Sequence, residues 1–187
     1  MNALEKGRPS KVNDFVIKFA NVNGSGSASA NGMFAKALFR MGIPTGPRNI
    51  FPSNIQGLPT WFEVRVSEQG HLGRRPGVDL MVAMNAETHA HDAAEVVPGG
   101  YILYDSSRPL PAELRRDDVT ALGIPIARMV AAEFQDPKQR QLFKNIVYVG
   151  ALSVLLDMEF EVLADMVSEQ YQGKEKLIAP NMRALEM

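Results

Sequence analysis

The chain contains no cysteine. That excludes a disulfide scaffold, a thiolate nucleophile, a Cys-ligated zinc site and an iron–sulfur cluster held by this chain. Charge of one sign is missing as well. Lys and Arg number 20 against 21 Asp and Glu, a formal net charge of -1. No electrostatic case for nucleic acid or an anionic membrane follows from that balance. Long apolar runs are also absent. The most apolar stretch, Ile146 to Leu156, is bracketed by Lys144 and Asn145 on one side and by Asp157 and Glu159 on the other. A membrane span needs about 20 apolar residues, so this stretch reads as a buried core helix. Met1 to Lys11 is polar and holds Gly7, Pro9 and Ser10, without the apolar centre of a secretory signal. The expected compartment is the cytoplasm.

What is present fits one globular domain. Its 187 residues are 45% hydrophobic and 22% charged, enough to build a real core. We read 1–12 as a flexible N-terminal segment and 13–187 as the domain. Phe15 to Val22 is apolar and β-branched and ends at Asn23-Gly24-Ser25-Gly26, a strand entering a tight turn. Ser27 to Met41 follows with Met33, Ala37, Leu38 and Met41 at helical spacing, closed by Gly42. Two extended pieces, Arg48 to Pro52 and a half-exposed strand Trp61 to Val66, flank a Gly-, Pro-, Asn- and Gln-rich loop at Ser53 to Thr60. Val78 to Met84 is apolar apart from Asp79, as in a strand covered on both faces. Asn85 is placed to cap a helix running to Glu95, and Pro98-Gly99-Gly100 reads as a turn into the strand Tyr101 to Tyr104. Ile124 to Val130 reads as a further strand or a strand–helix junction, and the pattern from Lys138 onward is helical. This order predicts a three-layer α/β domain, a mostly parallel sheet flanked by helices, with C-terminal helices. The amphipathic end, Asn181 to Met187, carries an apolar face that we expect a partner subunit or a further domain to cover.

Few residues suggest chemistry. Gly24-Ser25-Gly26 between strand and helix could cradle an anion on backbone N–H groups. It is no Walker loop, because no Gly-Lys-Ser/Thr follows. As a dinucleotide fingerprint it is defective, with Ser29 at the third glycine position and no Asp or Glu between Phe15 and Phe62 to bind a ribose. His89 and His91 are two apart, on different faces of a helix, and make a poor metal pair. His71, Arg74 and Arg75 share a polar loop, and Asn145 in its apolar helix needs hydrogen-bond partners, which capping of a neighbouring loop would supply. No catalytic constellation and no metal set emerges.

Several segments, in order along the chain, resemble a known family. They are Phe19 to Ala30 (FANVNGSGSASA), Asn49 to Trp61 (NIFPSNIQGLPTW), Asp79 to Asn85, Lys144 to Leu152, and Gly173 to Leu185. Together they resemble the gamma domain of 2-oxoacid:acceptor oxidoreductases, of the 2-oxoglutarate type. The resemblance implies oxidative decarboxylation of a 2-oxoacid with CoA to acyl-CoA and CO2, with electrons passing to ferredoxin or NAD. It implies a complex using thiamine diphosphate, Mg, iron–sulfur clusters and CoA, none held by this chain alone, and partners of alpha, beta and delta type. It departs from the common pattern in the glycine turn, where many members have Gly-Gly-Gln-Gly, and at Ile55-Gln56-Gly57-Leu58-Pro59, where an Arg-Gly-Gly is usual. On this reading the CoA-side or partner contacts are Asn23, Gly24, Ser25, Gly26, Ser27, Asn54, Gln56 and Gly57. The competing reading is a stand-alone nucleotide-binding or interaction module.

Overall fold

The computed structural model describes residues 13–52 and 55–187. Asn54, one of the expected contact residues, lies outside them, as does the segment 1–12. Among the described residues, the strands β1 (Asp14–Val22), β2 (Thr45–Ile50), β3 (Pro59–Ser67), β4 (Val78–Ala83), β5 (Val96–Asp105) and β6 (Thr120–Ile124) form one sheet in the order β2-β3-β1-β4-β5-β6. β1, β4, β5 and β6 are mutually parallel, and β3 runs against both β1 and β2. The helices are α1 (Ser27–Arg40), α2 (His89–Glu95), α3 (Ile126–Glu133), α4 (Pro137–Leu155), α5 (Phe160–Gln170) and α6 (Glu175–Glu186).

The strand period of two sorts β1 between two cores. Ile17 and Phe19 face a large core shared with α1, α3, α4, α5 and α6. Val16 and Ala20 face a smaller one with Met81, Ile102, and Ala93 of α2. The domain is therefore three-layered and lopsided: among the described residues, five α-helices lie on one face and, on the other, the seven-residue α2 lies beside a short 3₁₀ turn that buries Leu114. Asp79, which interrupts the apolar run of β4, accepts the backbone N–H of Val16 at 2.8 Å and pins β4 to β1. The edge strand β2 carries Pro47 opposite Val64 of β3.

Three expectations are corrected. β3 is not half-exposed: it lies between β2 and β1, and Phe62, Val64, Arg65, Val66 and Ser67 are all buried. Pro98-Gly99-Gly100 is no turn before a strand but part of β5, where a register irregularity between Val78 and Leu80 absorbs it. The apolar face of the C-terminal helix is not left for a partner. Ala184 and Leu185 are buried against α4, where Gly150 admits the Leu185 carbonyl so closely that any Cβ would strike it.

Candidate functional site

A cleft of ≈ 360 Å³ opens at the carboxyl end of β1, where ligands gather in α/β sheets. One wall is the turn from β1 into α1, the other the tip of the β2–β3 hairpin. Asn23, Gly24, Gly26 and Ser27 line it from the turn, and Asn49, Phe51 and Thr60 from the hairpin. Gly24 and Gly26 have φ of 85° and 81°, a left-handed backbone that glycine adopts without strain. Gly26 is the N-cap of α1, so no side chain occupies the free N–H groups of the first turn. Those groups, at the positive end of the helix dipole, face a cleft whose described lining has no charged side chain.

The hairpin tip is strapped to the turn. Asn23 N–H donates to the Leu58 carbonyl at 2.8 Å, Gly57 N–H to the Asn23 carbonyl at 3.0 Å, and Asn23 Nδ2 to the Ile55 carbonyl at 3.1 Å. Gln56 lies across Gly24, where a Cβ would meet its Cγ at 2.7 Å. The structure thus brings together the two loops that the sequence singled out. Ser25, Gln56 and Gly57 sit beside the cleft rather than lining it. The backbone carbonyl of Ser25 accepts from Asn145 Nδ2 of α4 at 2.8 Å, so Asn145 does cap a loop, and that loop is the glycine turn.

Below the cleft lies a polar floor that sequence reasoning missed. The Tyr148 hydroxyl donates to Asn31 Oδ1 at 2.7 Å, and Asn31 Nδ2 donates to Asn21 Oδ1 at 3.1 Å. The Asn21 amide faces the Tyr148 oxygen in turn. All three residues are buried, and burial pushes the Tyr148 hydroxyl well above its ordinary range, so the ring is neutral. An Asn inside an apolar strand and another inside an apolar helix were the available signal. Buried amides must pair, although their pairing could not be read from spacing.

The remaining candidates disperse. His91 leaves His89 and stands 3.6 Å from Glu95, its ring edge-on to Trp61 at 5.5 Å. Arg75 pairs with Asp79. Among the described residues no group of three or more His, Cys, Asp or Glu could hold a metal ion, and no helix is long and apolar enough to cross a membrane.

The fold has counterparts in known proteins. A structure of 2-oxoglutarate:ferredoxin oxidoreductase from Magnetococcus marinus, with 2-oxoglutarate, coenzyme A and succinyl-CoA bound, superposes with a TM-score of 0.82 at 26% identity, over 93% of this chain and 30% of that one. The gamma subunit of a keto/oxoacid ferredoxin oxidoreductase from Geobacter sulfurreducens shares the fold, with a TM-score of 0.71 at 21% identity, over 92% of this chain and 95% of that one. The ketoisovalerate oxidoreductase subunit VorA of Methanothermobacter thermautotrophicus is 28% identical over 91% of this chain and 35% of its own length. The chain spans about a third of the length of the curated relatives it matches. The model of the pyruvate ferredoxin/flavodoxin oxidoreductase family matches residues 16–187, nearly the whole sequence, and the chain belongs to that family.

Proposed function

We propose that this chain is the gamma component of a multisubunit 2-oxoacid:acceptor oxidoreductase and forms the wall of its CoA side. The complex would oxidise a 2-oxoacid with CoA to acyl-CoA and CO2 and pass the electrons to ferredoxin or NAD. The observation that carries the reading is the uncapped start of α1 facing a cleft whose other wall is the hairpin tip. Free backbone N–H groups at a helix N-terminus bind phosphate oxygens, and CoA presents a pyrophosphate. Asn23, Gly24, Gly26 and Ser27 would hold that part of CoA, while Gln56 and Gly57 keep the hairpin on the turn. The relative solved with CoA bound supports CoA as a ligand of such a complex.

The described lining offers no Lys, Arg or His, so the cations that balance a pyrophosphate would come from a partner chain. Thiamine diphosphate also carries a pyrophosphate, but one held through Mg, and among the described residues no group of three or more His, Cys, Asp or Glu could hold that ion. Without cysteine the chain cannot supply thiolates to an iron–sulfur cluster. Thiamine diphosphate, Mg and the clusters are therefore assigned to alpha-, beta- and delta-type subunits.

Ala28→Glu tests the reading. Ala28 is exposed in the first turn of α1 and lines the cleft. A carboxylate there suits the helix dipole but repels a bound phosphate. In the reconstituted complex the KM for CoA should rise about tenfold, roughly 1.4 kcal/mol, with the melting temperature of the chain unchanged. Gln56→Ala should raise it less, by loosening the hairpin. A KM for CoA at the wild-type value in both variants would reject the assignment of CoA to this cleft.

A further inference from the structure

Behind the cleft, on the opposite face of the sheet, lies a cluster that the proposed function does not use. Asp92 of α2 is 0% exposed. Its Oδ1 accepts the indole N–H of Trp61 at 2.8 Å, and its Oδ2 lies 2.6 Å from Thr88 Oγ1. Thr88 Oγ1 is also 3.2 Å from the Asn85 carbonyl, and Asn85 Nδ2 donates to the Asn21 carbonyl at 3.4 Å. Asn21 belongs to the cleft floor, and Trp61 sits in β3 between Thr60 and Phe62, which both line the cleft. Asp92 thus touches the hairpin wall directly, through Trp61, and the cleft floor at two removes, through Thr88 and Asn85.

The charge surroundings decide its protonation. The nearest cations are spoken for: Lys18 Nζ of β1 pairs with Glu95 and lies 5.6 Å from the Trp61 ring, and His91 faces Glu95. Among the described residues no cation stands within ion-pair distance of Asp92. Arg116 caps the far end of α2, donating to the Ala93 and Val96 carbonyls. A fully buried carboxylate without a counter-ion is expensive, and the neutral acid avoids that cost. It also uses every contact: its O–H donates to Thr88, whose own single proton is then free for the Asn85 carbonyl. Burial pushes the carboxyl up from the ordinary range, against the pull of Thr88, Trp61, His91 and Lys18.

We propose that Asp92 is a positioning residue of the cleft, a neutral carboxylic acid that ties Trp61 of β3 to Thr88 and Asn85, and through them to Asn21 of β1. When it ionises, the O–H donor is lost and the Thr88 hydroxyl proton turns to the carboxylate. The hydroxyl then lets go of the Asn85 carbonyl, which the Thr88 backbone N–H still holds at 3.2 Å, and the hold on Asn85 and on Asn21 behind it loosens. The inference rests on the cleft reading only for what the cleft would hold, and its test needs no ligand.

The chain has one tryptophan, so indole emission, excited beyond tyrosine absorption, reports on Trp61 alone. In the full chain, emission should shift with pH at a midpoint above that of an ordinary aspartate. Asp92→Asn supplies the same donor to Thr88 at every pH and should lose that transition while keeping the wild-type acid-side spectrum. His91→Gln controls for the imidazole beside the indole and should keep the transition. The backbone amide resonances of Asn21 and Thr60 should move with the same midpoint in wild type and stay still in Asp92→Asn. A transition that survives in Asp92→Asn, or disappears in His91→Gln, overturns the protonation assignment. Amides of Asn21 and Thr60 that stay still through the Trp61 transition overturn the positioning role. Neither result bears on CoA binding, which the KM of the Ala28→Glu complex decides separately.

Discussion

Two glycines inside helices obey opposite rules, and the difference is one of neighbours. In a helix interior, alanine is preferred to glycine by about 1 kcal/mol, because glycine loses more backbone entropy on folding. Gly32 in α1 has nothing within 4 Å of where a Cβ would stand. Gly32→Ala should therefore raise the melting temperature by a few degrees, an increment of up to about 1 kcal/mol. Gly150 in α4 is the reverse case, since the Cβ would fall on the Leu185 carbonyl of α6. Gly150→Ala must push α6 away, and overpacking of that kind costs about 1–3 kcal/mol. Thermal melts of the two variants beside wild type should move in opposite directions. Equal shifts would mean that α6 does not press on α4.

At the scale of elements, the docking of α2 carries a pH signature. A buried acid whose pKa is raised on folding holds its proton more tightly in the folded state. Its stabilising effect is complete below the unfolded value of about 3.9. It is lost as pH rises through the higher folded value. Denaturant melts at a series of pH values should show wild type losing stability relative to Asp92→Asn as pH rises across that window. A difference between the two that does not change with pH would show that folding leaves the Asp92 pKa where it was.

Most elements were legible because their residues obey local rules. β1, α1, β4 and the long α4 follow from apolar periodicity bounded by Gly, Asn and Asp. What escaped depended on pairing across the chain. Trp61 to Val66 alternates as an edge strand does, yet β2 pairs with its outer side and buries it. Pro98-Gly99-Gly100 carries turn chemistry, but β4 holds it inside a strand. The glycine turn was visible as a candidate site. Its contact with Gln56 was not, since that rests on a hairpin register no local pattern encodes. No local pattern marks Lys18 or Asp92 as buried, which follows only from the packing of α2 on this face of the sheet.

At the scale of the whole molecule, the reading assigns binding to this chain and redox chemistry to its partners. The isolated chain should give no turnover with any 2-oxoacid, CoA and a redox dye, whereas the tagged chain expressed in its own host should copurify with larger chains bearing the brown colour of iron–sulfur clusters. Turnover by the rigorously purified chain alone would sink the division of labour. A colourless single band from the host would favour a stand-alone module. Assembly itself is constrained by Pro47. Because β2 pairs regularly with β3, the proline nitrogen must face away from β3, toward the open side of the sheet. A strand arriving there would find a donor missing in the middle of a six-residue ladder. Growth of the sheet from subunit to subunit is blocked on that side, so the subunits of a larger enzyme must meet this one through side-chain surfaces and not by sharing a backbone ladder at β2.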